Sequence, residues 1–148
     1  MKQRFRFEKL EVWQDARAFN REVSRLARGF PREEMYALTA QVRRASSSVA
    51  ANIAEGSGRN SDPDFARFLE QAYGSLMETA SHLYLALDEN YINEADLDPV
   101  LEHASALAGR IVMLNRSLTV THTKTPFARN RTSSLSTFVS RPSTPFRS

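Results

Sequence analysis

The chain has 148 residues, with 20 Lys+Arg against 17 Asp+Glu, no cysteine, one tryptophan, five glycines and six prolines. That length suits one domain with a substantial core, and the lack of cysteine excludes thiolate zinc sites, iron–sulfur clusters, a cysteine nucleophile and a disulfide framework. Only three histidines are present, no apolar run approaches the ~20 residues of a membrane span, and the first residues form no apolar leader, so the expectation is a soluble, non-secreted, cytoplasmic protein with no membrane partner.

From about residue 10 the apolar positions recur with a helical period. Val12, Ala16, Phe19, Val23, Leu26 and Phe30 fall on one line when each residue turns 100°. Their spacings alternate between four and three, the seam of a helix in a bundle, and Gly29 and Pro31 end it. A helix is predicted over residues 10–29. Opposite its seam lie Arg17, Arg21, Arg25 and Arg28, joined by Gln14 and by no carboxylate. A solvated face usually mixes charge signs, so this row points to an anionic partner, either phosphate or the acidic part of a neighbouring protomer.

A second helix is predicted over 33–56, with Leu38, Val42, Ala45, Val49 and Asn52 inward. Its outer side carries Ser47, Ala50, Ala51 and Ala54, flanked by Arg43 and Arg44. The third, over 62–89, opens at Ser61-Asp62-Pro63, a polar cap before a first-turn proline. Its seam is Phe65, Leu69, Ala72, Leu76, Thr79 or Ala80, Leu83 and Leu87, while Gly74, Ser81 and Leu85 face out. Small outer residues let another backbone approach, and a monomeric bundle normally covers such positions with Lys and Glu. These seven residues are therefore the expected oligomer interface. Tyr36, Tyr73 and Tyr84 are expected to pack within or between bundles. Residues 90–93 read as a turn, and the fourth helix is predicted over 95–118 on Leu97, Leu101, Ala104, Ala108, Ile111, Leu114 and Leu118. No window alternates with period two. The expected fold is all-α, an antiparallel up-down-up-down four-helix bundle spanning residues 1–118.

The modest net charge of +3 conceals strong polarity along the chain. Residues 1–67 carry 13 basic and 9 acidic side chains, 68–118 carry 2 and 8, and 119–148 carry 5 and none. The last segment holds 13 Ser or Thr in 30 residues with no apolar period, a composition that predicts a disordered basic tail.

Catalytic constellations are missing. A di-iron bundle needs Glu-x-x-His pairs, whereas Glu78 and His82 are four apart and Glu102 and His103 adjacent. Both histidines read as surface or boundary residues. Gly56-Ser57-Gly58-Arg59 lacks the Lys-Ser/Thr ending of a phosphate-binding loop and follows a helix rather than a strand. No enzyme activity, cofactor, metal or small-molecule substrate is expected.

Leu10-Glu11-Val12-Trp13-Gln14-Asp15-Ala16 resembles the opening of the bacterial four-helix-bundle family of 23S rRNA intervening-sequence proteins. The likeness continues through Tyr36, Leu38, Thr39, Gln41, Arg43, Arg44, Ala45 and Ser48, and is strongest at Asn52-Ile53-Ala54-Glu55-Gly56. Phe65, Phe68, Leu69, Ala72, Gly74 and Ser75 are similar to the family's third helix. Ala37 stands where the family often has glycine, and Ala50 where it often has proline. The resemblance implies a ring-like homopentamer, related to the accessory variability determinant protein of diversity-generating retroelements, which works with a reverse transcriptase and nucleic acid. The family name refers to gene position inside rRNA insertions and not to an activity.

Two functional expectations follow. In the first, a homo-oligomer binds RNA, DNA or a ribonucleoprotein through Arg17, Arg21, Arg25 and Arg28, with Arg43, Arg44 and Arg59 as further contacts. In the second, the basic and acidic halves pair between protomers of a protein-interaction scaffold that touches no nucleic acid.

Overall fold

The computed structural model describes residues 1–123, with backbone alone at 120–123. Four helices form the domain: α1 (Glu11–Ala27), α2 (Leu38–Ser57), α3 (Asp62–Asp88) and α4 (Glu94–Thr123). No strand occurs among the described residues. Short 3-10 turns precede α1 (Arg6–Lys9) and α2 (Arg32–Glu34).

The α1 seam is buried as its spacing predicts, with Ala16, Phe19 and Val23 fully enclosed. On α2 the inward residue near the C-terminal end is Ile53 and not Asn52. Asn52 turns along its own helix and donates to the Ser48 carbonyl (2.9 Å) and Ser48 Oγ (3.0 Å). Ser48 Oγ in turn accepts from Ser75 Oγ on α3 at 3.0 Å, so this polar link joins α2 to α3 at the edge of the core. Thr79 is the buried member of the Thr79/Ala80 pair, its hydroxyl satisfied by the Ser75 carbonyl at 2.8 Å. On α4, Val100 and Leu107 are fully buried and complete a stripe with Leu97, Ala104 and Ile111, while Leu101 and Ala108 lie at its margin.

The largest departures from the expected helix ends are in α2 and α4. α2 begins at Leu38, because residues 32–34 wind as a 3-10 turn and Ala37 leaves helical conformation (φ −115°, ψ −109°). No side chain of Ala37 caps the start. Glu34 does that work from farther back, accepting the Leu38 N–H at 3.2 Å and the Tyr91 hydroxyl at 2.9 Å. α2 then runs uninterrupted through Ala50. α4 starts one residue early on an Asn93 cap, whose Oδ1 accepts the Asp96 N–H at 2.8 Å. It continues to Thr123, five residues past the predicted end, so residues 119–123 are helical and not part of a disordered tail. The rest of the predicted tail, 124–148, lies outside the described residues.

The α3–α4 turn closes on Asn90 at φ 59°. The Asn90 N–H reaches the Leu87 carbonyl and the Tyr91 N–H the Ala86 carbonyl, both at 2.9 Å. This is the left-handed closure that glycine or asparagine permits. No helix among the described residues is long and apolar enough to cross a membrane.

Candidate nucleic-acid interface

The rotation that buries Val12, Phe19 and Val23 sends Arg17, Arg21, Arg25 and Arg28 to the surface, and all four are exposed. α2 packs beside α1, and Ser46 Oγ donates to Asn20 Oδ1 at 2.5 Å. Because the helices run in opposite directions, this bond sets Arg43 about level with residue 23 on α1, within the span of the α1 arginines. Arg43 and Arg44 are also exposed.

Among the described residues none of these six arginines has a carboxylate within 4.0 Å. Three other arginines are paired with carboxylates. Arg59 holds Glu55 at 2.7 Å and Asp64 at 3.9 Å, with its guanidinium 4.6 Å from the Phe68 ring centre. Arg67 takes Asp64 at 2.8 Å, and Arg110 takes Asp15. Arg59 is thus engaged at the α2–α3 corner and stands apart from the other candidates. Arg25 differs too: it lines a cleft of about 710 Å³ that also holds Glu94 and Asp96, so its surroundings are of mixed sign. Arg17, Arg21 and Arg28 remain on the outer side of α1, with Arg43 and Arg44 exposed on the neighbouring α2.

The small-residue positions divide similarly. Ser47 and Ala51 are exposed on α2, whereas Ala50 and Ala54 are half-buried and Ala50 packs against the core. Gly74 and Ser81 are exposed on α3, open space surrounds Gly74, and Leu85 is 49% exposed. Tyr36, Tyr73 and Tyr84 do not pack within the bundle. Their exposures are 92%, 38% and 54%, because Tyr36 lies in the turn before α2 and Tyr73 and Tyr84 lie outside the α3 seam.

One polar cluster had no signal in the sequence. His103 on α4 places Nε2 2.7 Å from Asp15 Oδ1 and Nδ1 2.9 Å from Glu22 Oε2, both on α1. Both nitrogens can donate only in the imidazolium form. Burial pulls this histidine's pKa down, but the hydrogen bonds and charges of Glu22 and Asp15 outweigh that and hold it above the ordinary value. The partners sit more than eighty residues from His103, so local spacing could not find them. Arg110, on the other side of Asp15, and the edge of the Phe19 ring complete the surroundings. A raised histidine pKa contributes stability in full below the unfolded value and loses it as pH rises through the folded one. The urea midpoint should therefore fall as pH rises above the ordinary histidine value of 6.5, and His103→Gln should flatten that fall. An equal fall in the variant would assign the pH dependence to another group.

No three His, Asp or Glu side chains among the described residues converge on a possible cation position.

A family model described as 23S rRNA-intervening sequence protein matches residues 8–113. Among solved structures, the chain is similar to a protein of unknown function from the S23 ribosomal protein family of Bacteroides thetaiotaomicron. The two share 21% identity with a TM-score of 0.65, over 70% of this chain and 97% of that one. At that identity the likeness concerns the fold alone. Comparison with curated proteins finds no match.

Proposed function

This chain belongs to the 23S rRNA-intervening sequence protein family, and we propose that it is a non-enzymatic, homo-oligomeric bundle that holds nucleic acid by its phosphates. The observation that carries this reading is the set of exposed arginines on α1 and α2 with no carboxylate within 4.0 Å, on an outer face of α1 that carries no acidic side chain. Guanidinium groups along a regular helix suit a phosphate backbone, which positions a partner without reading sequence. Repetition around a ring of five protomers, the assembly that the resemblance to the retroelement accessory protein implies, would turn weak contacts into avidity. The exposed small residues Ser47, Ala51, Gly74 and Ser81 support a protomer contact.

The test is a titration of duplex DNA and structured RNA across salt concentrations, using the full chain and Arg17→Ala/Arg21→Ala/Arg28→Ala. Phosphate contacts predict a log–log salt slope of roughly −0.9 per contact on duplex DNA, so the triple variant should be shallower by about 2–3 units. No binding at about 100 mM salt, or an unchanged slope, would overturn the reading.

A second reading, a protein-interaction scaffold, is favoured by the exposed apolar side chains Tyr73, Met77, Tyr84, Leu85 and Met113 on the other half of the bundle. Light scattering of the triple variant separates the two readings. Loss of assembly would mean that the arginines hold protomers together.

A further inference from the structure

The segment before α1 carries a feature that the helical seams do not explain. Phe5 stacks on Phe7 with ring centres 5.6 Å apart and planes 5° from parallel. Phe7 meets Trp13 at 4.7 Å and 58°, and the Arg17 guanidinium lies 5.7 Å from the centre of the Trp13 ring. The rings climb outward from the core. Trp13 packs partly against it, Phe7 is half-buried, and Phe5 is 59% exposed. They line an open cleft of about 470 Å³ together with Lys2, Arg4 and Arg17. One acid, Glu8, shares the cleft, and its carboxylate accepts the Arg4 backbone N–H at 2.9 Å.

Packing explains Trp13 and Phe7, which cover the start of α1. It leaves the stacked and solvent-facing ring of Phe5 without a role, since Phe5 is not part of the core. An exposed aromatic among cations is the combination that binds single-stranded nucleic acid, because every base offers a π-face while the cations take the phosphates. Arg17 belongs both to this ladder and to the α1 arginine face, so the two surfaces are continuous.

We propose that the Phe5–Phe7–Trp13 ladder, with Lys2, Arg4 and Arg17 around it, is a stacking site for unpaired nucleobases. The inference rests on the phosphate-binding reading above and adds the class of ligand: a strand whose bases are free where it crosses the N-terminal end of α1. Duplex, with its bases stacked inside, can use only the arginine face.

The test compares three labelled ligands of equal length on the full chain: an oligothymidylate of about 15 nucleotides, an abasic strand with the same phosphates and no bases, and a duplex. Oligothymidylate should bind roughly tenfold more tightly than the abasic strand, and should quench Trp13, the one tryptophan of the chain. Phe5→Ala should remove that advantage and Phe5→Tyr should keep it. Neither change touches the core. Equal affinity for the abasic strand, or an advantage that survives Phe5→Ala, overturns the stacking site while leaving phosphate binding intact. If none of the three ligands binds, both readings fall together.

Discussion

Gly56→Ala is expected to lower stability by about 1–2 kcal/mol, although alanine is the better helix former by about 1 kcal/mol. A Cβ at Gly56 would lie 2.6 Å from Phe68 Cβ and 2.8 Å from Phe65 Cδ2, both on α3. Phe68 Cβ is fixed to its backbone and cannot swing aside, so α2 and α3 would have to separate where they now touch. The cost is that of overpacking, and Gly56→Val should raise it further. Gly109→Ala, on α4 and away from the small-residue positions, is the control. Nothing lies within 4 Å of a Cβ there, so the same change should stabilise the folded chain by about 0.5–1 kcal/mol. Urea denaturation at constant m reads both effects. An unchanged midpoint for Gly56→Ala would mean that the two helices do not meet this closely.

The largest single loss is expected at Phe19. Its side chain is fully buried in the middle of α1, and its ring meets the His103 imidazole edge-on at 5.6 Å and 81°. Phe19→Ala leaves a cavity between α1 and α4 and should cost about 3–5 kcal/mol. That is a large share of the ~5–15 kcal/mol that holds a domain of this kind together. Phe19→Leu keeps most of the volume and should cost roughly 1.5 kcal/mol or less. Tyr36→Ala, at a ring 92% exposed, should stay within about 0.5 kcal/mol of the parent. Denaturant midpoints rank the three. A Phe19→Ala loss no larger than that of Phe19→Leu would place Phe19 outside the core.

How much of the fold was legible depended on how regular each seam was. The α1 pattern is unbroken, and every apolar position assigned inward is buried. On α2 the same rule chose Asn52 over its neighbour Ile53, because small residues flatten the contrast between faces and a one-residue error in phase is then invisible. On α4 an alanine-rich stretch hid Leu107, and Val100 was passed over for its apolar neighbour Leu101. The start of α2 was misplaced because Glu33, Glu34 and Met35 are good helix formers. Glu34, however, is held by Leu38 and by Tyr91 from the far side of the bundle.

The candidate site followed the same logic. Exposure of Arg17, Arg21, Arg25 and Arg28 comes from rotation about one helix, so it could be read from spacing alone. The surroundings of each arginine could not. Arg59 takes Glu55 four residues back, a local contact that spacing offers, but Arg25 faces a cleft with Glu94 and Asp96 that only the α3–α4 turn brings beside it.

By itself the sequence determined the all-helical class, the number of helices, the buried face of α1 and the outward row of arginines. Each of these depends on a period of 3.6 residues within a single element. Only the tertiary structure decided the close approach at Gly56, the His103 bridge from α4 to α1, the pairing of Arg110 with Asp15 and the aromatic ladder on Trp13. Those depend on where one element meets another, and distances between elements are set by the packing of the whole core, which no local spacing encodes.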